Sequence, residues 1–398
     1  MFQSLKSLPP DPILGLTAAF KQENNPNKVD LGIGVYKDEK GNTPVMTAVK
    51  QAEQAILNSQ LTKAYLGPMG SPEYNSAIAK LILGIDLLDN LGGRRVTIQT
   101  PGGCGGLRIA AEFIYTANAN AKIWVSDPTW ANHKPLIGSA GLEFKSYPYY
   151  NYETNSVNFE GMMEALKTAS KGDVVLLHGC CHNPSGADLS IEQWEIIKNS
   201  ALAQGFTVFI DLAYQGMGTG LNEDVYGVRL LAEALPELVV VSSCSKNFGL
   251  YRERTGAVTL ICESEKACAA SSTLLASAAR SNYSMPPDHG AAIVQLILNS
   301  PELYSAWEDE LTEVRNRINS LRFVFAEKLN GSKIPRDFSF IKNEKGMFSF
   351  LGASANQIQE LINSYGIYLV NSSRINVASI NDSNIDYLID SITEVLTK

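Results

Sequence analysis

The chain has 398 residues, too many for one ordinary hydrophobic core, so two domains, one large and one small, are expected. Hydrophobic residues at 45% and charged residues at 19% give the balance of a soluble globular protein and exclude bulk disorder. A net charge of −8, from 33 basic and 41 acidic residues, argues against a nucleic-acid or anionic-membrane surface but leaves room for a local basic pocket.

Residues 1–9 read as an N-terminal arm, 10–42 with 310–398 as a small domain, and 43–309 as a large one. The start, MFQSLKSLPPDPILGL, lacks the basic opening and continuous apolar core of a signal peptide. No apolar stretch approaches the ~20 residues that cross a bilayer. From Val96 to about Cys262, short apolar runs alternate with helix-length amphipathic stretches. The runs are Val96–Ile98, Ile123–Val125, Val174–Leu177, Thr207–Ile210, Leu238–Val241 and Ala257–Ile261. Continuous rather than alternating apolar residues suit strands covered on both faces, so the fold class is α/β with a mainly parallel sheet. Ser190-Ile191-Glu192-Gln193 is a capping box that opens a helix, and Gly205 closes it. In the C-terminal portion the pattern becomes α+β: a charged helix near Pro301–Leu329, the segment Gly346–Phe350, a helix near Ala355–Tyr365, and strands at Ile367–Val370 and Ile375–Ala378. Six cysteines without a C-x-x-C pair, one pair of them vicinal, fit a reducing cytoplasm, and four histidines leave few ligands for a metal.

The ends of the apolar runs carry the chemistry-bearing residues. Pro101-Gly102-Gly103-Cys104-Gly105-Gly106 precedes a helix predicted from Leu107 to Ala117, and is either a tight turn or a backbone cradle for an anion. Asp127-Pro128-Thr129-Trp130, with His133 close by, offers an indole that is a buried anchor or a stacking surface for a planar ring. In His178-Gly179-Cys180-Cys181-His182-Asn183-Pro184-Ser185-Gly186 the adjacent cysteines make tetrahedral zinc awkward, and an amide presented by the turn fits better. Asp211 ends a buried run, where a carboxylate is costly unless it caps a helix or meets a cation such as a protonated ring nitrogen. Ser242-Ser243-Cys244-Ser245-Lys246-Asn247 places an amine among hydroxyls, with Arg254 eight residues on. Taken alone, Lys246 is as much a loop lysine as a Schiff-base former. Five strand ends together supply every part of a pyridoxal 5'-phosphate site: lysine for the aldehyde, aspartate for the pyridine nitrogen, tryptophan for the ring, and hydroxyls, backbone N–H groups and Arg254 for the phosphate.

With those residues in hand, the chain resembles the class I, fold type I aminotransferases, and within them the aspartate and aromatic-amino-acid (tyrosine) subgroup. The likeness spans nearly the whole length. It is carried by Leu31–Tyr36, Ala64–Gly70, Gly102–Gly105, Asp127–Trp130, His178–Gly186, Asp211–Gly216, Ser243–Arg254, Arg280–Ser284, Gly346–Ser349 and Arg374–Ala378. The resemblance implies a large pyridoxal-phosphate domain and a smaller α+β domain. It implies Lys246 as the lysine that joins the cofactor aldehyde and moves the 1,3-proton, and Asp211 as the partner of the pyridinium, supported by His133. Asn183 and Tyr214 would bond the phenolic oxygen, and Trp130 would stack on the ring. Ser243, Arg254 and the Gly103–Cys104 backbone would hold the phosphate, with Tyr65 reaching it from a neighbouring subunit. Arg374 would grip the substrate α-carboxylate near Gly34, Trp130 and Asn183, and Arg280, also from the neighbour, a distal carboxylate. Sites shared in this way imply a homodimer.

Three residues depart from the subgroup: Cys104 where Thr or Ser is usual, Ser373 where Gly is usual, and Gly67 within the run around Tyr65. Thr100-Pro101, Cys181–Asn183 and Asp188–Ser190 read like the aromatic branch, while both arginines imply that dicarboxylates are also accepted. The expected reaction is therefore ping-pong transfer from tyrosine, phenylalanine and aspartate to 2-oxoglutarate, ahead of a strict aspartate enzyme. A non-catalytic pyridoxal-fold ligand sensor is disfavoured because no DNA-binding segment or basic face is visible. A nicotinamide dehydrogenase lacks the glycine spacing and leaves Lys246 and Asp211 idle.

Overall fold

The computed structural model describes residues 2–7 and 12–398. Of the arm expected at residues 1–9, positions 1, 8 and 9 lie outside the described residues, while Phe2–Ser4 form a 3-10 turn and Phe2 and Leu5 are exposed. The chain divides into two compact units, Pro44–Asn316 and Met1–Thr43 with Arg317–Lys398.

The larger unit is built on a seven-stranded sheet. In chain order its strands are β1 (Arg95–Pro101), β2 (Lys122–Asp127), β3 (Glu143–Pro148), β4 (Val174–His178), β5 (Thr207–Leu212), β6 (Leu238–Ser243) and β7 (Thr255–Ile261). Their spatial order is β1-β7-β6-β5-β4-β2-β3. The pairs among β2 to β6 are parallel, and β7 runs antiparallel to both β6 and β1. Every residue of β6 and β7 is buried, as their uninterrupted apolar runs require. The register sets His178 beside Asp211, Gly256 beside Ser243 and Thr255 beside Pro101. Because β7 runs antiparallel it starts at the carboxyl end of the sheet, so the loop after Lys246 stays there and Arg254 stands beside the end of β1.

One predicted boundary is corrected. The helix after β1 begins at Gly102, not Leu107, and runs to Ala117. Its glycines belong to the helix because they face the sheet: a β-carbon on Gly106 would lie 2.7 Å from Val241 Cγ1, and one on Gly103 would lie 3.1 Å from Ser243 Cβ. The glycine run draws a helix N-terminus onto the strand that leads to Lys246. The helix Ile191–Gln204 has the capping box read from sequence, with Ser190 accepting from Gln193 N–H and Gly205 left-handed at φ 76°.

In the smaller unit, Val29–Asp30 pairs in parallel with Ile367–Tyr368, and Phe348–Phe350 pairs antiparallel with Arg374–Asn376. Leu31, Phe325, Phe338, Ile358 and Leu388 are among its core. Both predicted C-terminal strands are shorter than expected, and the second starts at Arg374 and stops at Asn376. Asn376 is the cause of the stop. Its side chain accepts from Ala378 N–H and donates to Ile33 and Val35 carbonyls, turning the chain into the 3-10 segment Val377–Ser379. No helix among the described residues is long and apolar enough to cross a membrane.

Candidate active site

The carboxyl ends of β1, β2, β4, β5 and β6 carry the larger unit's predicted site residues other than Tyr65 and Arg280. Lys246 lies just past β6, in a loop fixed by Gly249 N–H donating to Lys246 O (3.0 Å) and by Trp307 Nε1–H donating to Asn247 O (2.8 Å). Its Nζ stands 4.7 Å from the centre of the Tyr214 ring. Burial pulls its pKa below the ordinary lysine value, opposed first by the negative charge of Asp211. Asp211 is bound through Oδ2 to His133 Nε2 at 2.9 Å, and His133 Nδ1 meets Thr129 Oγ1 at 2.8 Å. Burial works against the Asp211 charge, but the His133 hydrogen bond and nearby positive groups outweigh it, leaving its pKa low. Asp211 thus lies inside β5 as an ionised acceptor, not at a helix cap.

Trp130 packs edge-on against His133, with ring centres 5.3 Å apart. Asn183 follows a turn pinned by Asp188, whose oxygens accept from Cys181 N–H (2.7 Å) and His182 N–H (2.8 Å). Cys180 and Cys181 cluster with Asp224, while His182 turns to Ser126 and Ser185, so the run does not converge on one tetrahedral point. Sequence reasoning treated His178 only as part of that run. Its Nδ1 accepts from Asn183 N–H at 3.2 Å and its ring is 5.2 Å from that of His133. Burial, then the neighbouring His133, push its pKa down to about 3, so it stays neutral. Thr129 was also missed. Its spacing of four from His133 was the available signal.

At the helix start, Gly102 has φ 68°. A β-carbon there would lie 2.5 Å from Arg254 Nη2, so only glycine lets the guanidinium reach the first turn. Arg254 itself is left-handed at φ 53° and donates to Ser245 Oγ (3.3 Å) and Tyr251 O (3.0 Å). Ser243 Oγ donates to Ser245 Oγ at 3.1 Å. Cys104, in the same turn, feels the charges of Arg254 and Lys246, although burial keeps its thiol pKa above the usual value. Helix N-terminus, guanidinium and hydroxyls converge as an anion cradle. An ionised carboxylate and a depressed-pKa amine share the pocket. That donor set fits a planar aldehyde carrying a phosphate and a basic ring nitrogen.

Tyr65 and Arg280 are surface residues. Tyr65 is 92% exposed, and exposed Arg280 donates to Ser284 Oγ four residues on. Arg374 and Gly34 belong to the smaller unit. There the Arg374 guanidinium lies 4.2 Å over the Phe348 ring and donates to Gly32 O at 2.5 Å, and a β-carbon on Gly34 would meet the same ring at 3.1 Å.

Residues 26–392 match the family described as "Aminotransferase class I and II". An aspartate aminotransferase of Haemophilus influenzae is 46% identical, with all of both chains covered. An aromatic-amino-acid aminotransferase of Paracoccus denitrificans is 44% identical, covering 99% of this chain and 100% of the other. The aromatic-amino-acid aminotransferase of Burkholderia pseudomallei, solved covalently bound to pyridoxal phosphate, superposes with a TM-score of 0.97 at 44% identity, covering 100% of this chain and 99% of that one. On a match that runs through every strand end described above, the chain belongs to the class I and II aminotransferases.

Proposed function

We propose that this chain transfers the amino group of aromatic amino acids (tyrosine, phenylalanine) and of aspartate to 2-oxoglutarate in two alternating half-reactions, as a cytoplasmic homodimer. The observation that carries it is the depressed-pKa Lys246 amine beside an ionised, histidine-bound Asp211, next to the Gly102–Arg254 cradle. Pyridoxal phosphate is the cofactor of this pocket, and when bound it supplies the electron sink for amino-group transfer. Lys246 does the proton work. With its pKa drawn below the ordinary lysine value by burial, Nζ gives up its proton more readily than an ordinary lysine and so can serve as a base. Asp211, kept ionised by His133, holds the proton of a basic ring nitrogen. Trp130 offers the ring a flat face, and Asn183 and Tyr214 take the phenolic oxygen. Gly103, Cys104, Ser243 and Arg254 hold the phosphate, joined by Tyr65 of a second copy.

Arg374, with Gly34 at its side, takes the α-carboxylate of either substrate, a planar anion suited to a guanidinium fork. Arg280 of the second copy takes a distal carboxylate and swings aside for an aromatic ring. The exposure of Arg280 and Tyr65 supports such sharing, and six free cysteines support a reducing compartment. The similar closeness of aspartate and aromatic relatives supports a broad donor range. Lys246→Ala should abolish turnover of tyrosine with 2-oxoglutarate, and borohydride should fix the cofactor to the wild-type Lys246 peptide. Turnover at the wild-type rate in the variant would end this reading. Comparing tyrosine, phenylalanine, tryptophan and aspartate with 2-oxoglutarate tests the donor range, and activity confined to aspartate would refute its aromatic part.

A further inference from the structure

Arg322 is the most deeply buried guanidinium of the smaller unit, at 1% exposure, far from any role assigned so far. A buried cation is costly unless every N–H finds an acceptor and a counter-charge stands nearby. Here both conditions are met by one short stretch of chain. Glu344, 3% exposed, lies 3.3 Å from Nη1 and accepts the Ser349 hydroxyl on its own Oε2. The remaining bonds go to carbonyls: Ile341 O from Nη1 (3.1 Å), Gly346 O from Nε (3.0 Å) and Nη2 (2.7 Å), Lys345 O from Nη2 (3.2 Å), and Phe348 O from Nη2. Lys345 and Gly346 precede the strand Phe348–Phe350, and Arg322 takes their carbonyls, while Met347 O accepts from Val377 N–H at 2.7 Å. The arginine thus holds the approach to that strand where backbone pairing does not reach.

What this stretch carries is Phe348. Its backbone pairs with Asn376, and its ring supports the Arg374 guanidinium at 4.2 Å while closing against Gly34. A flat ring beneath a guanidinium fixes the plane of the fork, and a bidentate carboxylate contact depends on that plane. We infer that Arg322 is a positioning residue for substrate binding: through Phe348 it sets the orientation of Arg374. This rests on the assignment of Arg374 to the substrate α-carboxylate.

The test uses the holoenzyme and three variants: Arg322→Lys, which keeps a charge for Glu344 but loses the fork, Phe348→Leu, which removes the flat ring, and Arg374→Lys. Binding of 3-phenylpropionate, a carboxylate without an amino group, is measured by calorimetry beside KM, kcat and the cofactor absorbance band. Arg322→Lys should weaken 3-phenylpropionate and raise KM for tyrosine and 2-oxoglutarate together by about ten-fold, leaving kcat within about two-fold and the absorbance band unchanged. Phe348→Leu should reproduce the same split, which keeps the inference testable if Arg322→Lys does not fold. Arg374→Lys losing the acid while Arg322→Lys and Phe348→Leu bind it as wild type would overturn the positioning role alone. Arg374→Lys binding it as wild type would overturn the carboxylate assignment, and this inference with it. Loss of kcat and cofactor in step with thermal stability in both Arg322→Lys and Phe348→Leu would show a merely structural residue.

Discussion

Cys104 brings a thiol into the candidate anion cradle. Its thiol stands in the first turn of the helix Gly102–Ala117, within the charge fields of Arg254 and Lys246, yet burial keeps it protonated. A neutral S–H is a weak donor, and a hydroxyl there would add a hydrogen bond to a charged phosphate worth about 1.5 kcal/mol. Cys104→Ser should therefore slow release of pyridoxal phosphate by roughly ten-fold, read from decay of the cofactor band after dilution. Release as fast as in wild type would show that the sulfur already makes the contact. His178 yields a second expectation. With a folded pKa of about 3 against an ordinary 6.5, the native apoprotein refuses a proton that the unfolded chain accepts in that window. Stability is thus intact above pH 6.5 and falls as pH drops. Between pH 7.5 and 5 the loss from this residue is about 2 kcal/mol. Urea titrations of the apoprotein should show that loss, and His178→Asn should flatten it by the same amount. An equal pH slope in the variant would mean that other groups carry the acid sensitivity.

The elements were legible where one physical rule dominated. Two-sided burial spelled out the strands β4 to β7 as unbroken apolar runs, and Ser190 with Gln193 announced a helix start by donor and acceptor alone. The Gly102 helix start was hidden because glycine is the poorest non-proline helix former. Its place there is decided by the strand it lies against, which no local window contains. The early stop at Asn376 was hidden for the same reason, since its partners Ile33 and Val35 are over 340 residues away. Lys246, Asp211 and Arg254 could be read as a set because they end successive runs, whereas the Thr129–His133–Asp211 chain needed the sheet register to appear. Tertiary contact sets the cost of changing Gly106. A methyl group there would press on Val241 Cγ1 at 2.7 Å and Thr100 Oγ1 at 3.1 Å. The helix must lift, and Gly106→Ala should cost about 1–3 kcal/mol in denaturant melts. It should also weaken cofactor binding if, as proposed, the same helix presents its N-terminus to the phosphate. A destabilised protein with unaltered cofactor affinity would show that the cradle does not depend on close helix packing.

For the whole molecule, the proposed sharing of Tyr65 and Arg280 between two copies makes a prediction that no monomer could satisfy. Both side chains point into solvent on their own chain. If each site takes Lys246 from one chain and Arg280 from the other, a hybrid of Lys246→Ala with Arg280→Ala has one site that lacks both residues and one that has both. The intact site draws its lysine from the Arg280 variant and its arginine from the Lys246 variant. Random reassociation makes about half of the dimers hybrid, and half of their sites work. Mixing the two variants, each poor with aspartate alone, should thus recover about a quarter of wild-type aspartate turnover. Tyrosine offers an internal control, because an aromatic ring does not need Arg280: the Arg280 variant alone should retain tyrosine turnover, and mixing should add little. Recovery with aspartate but not tyrosine identifies Arg280 as the partner's contact to a distal carboxylate. If aspartate activity in the mixture only averages the two variants, Arg280 serves the site of its own chain, and the shared-site dimer is refuted.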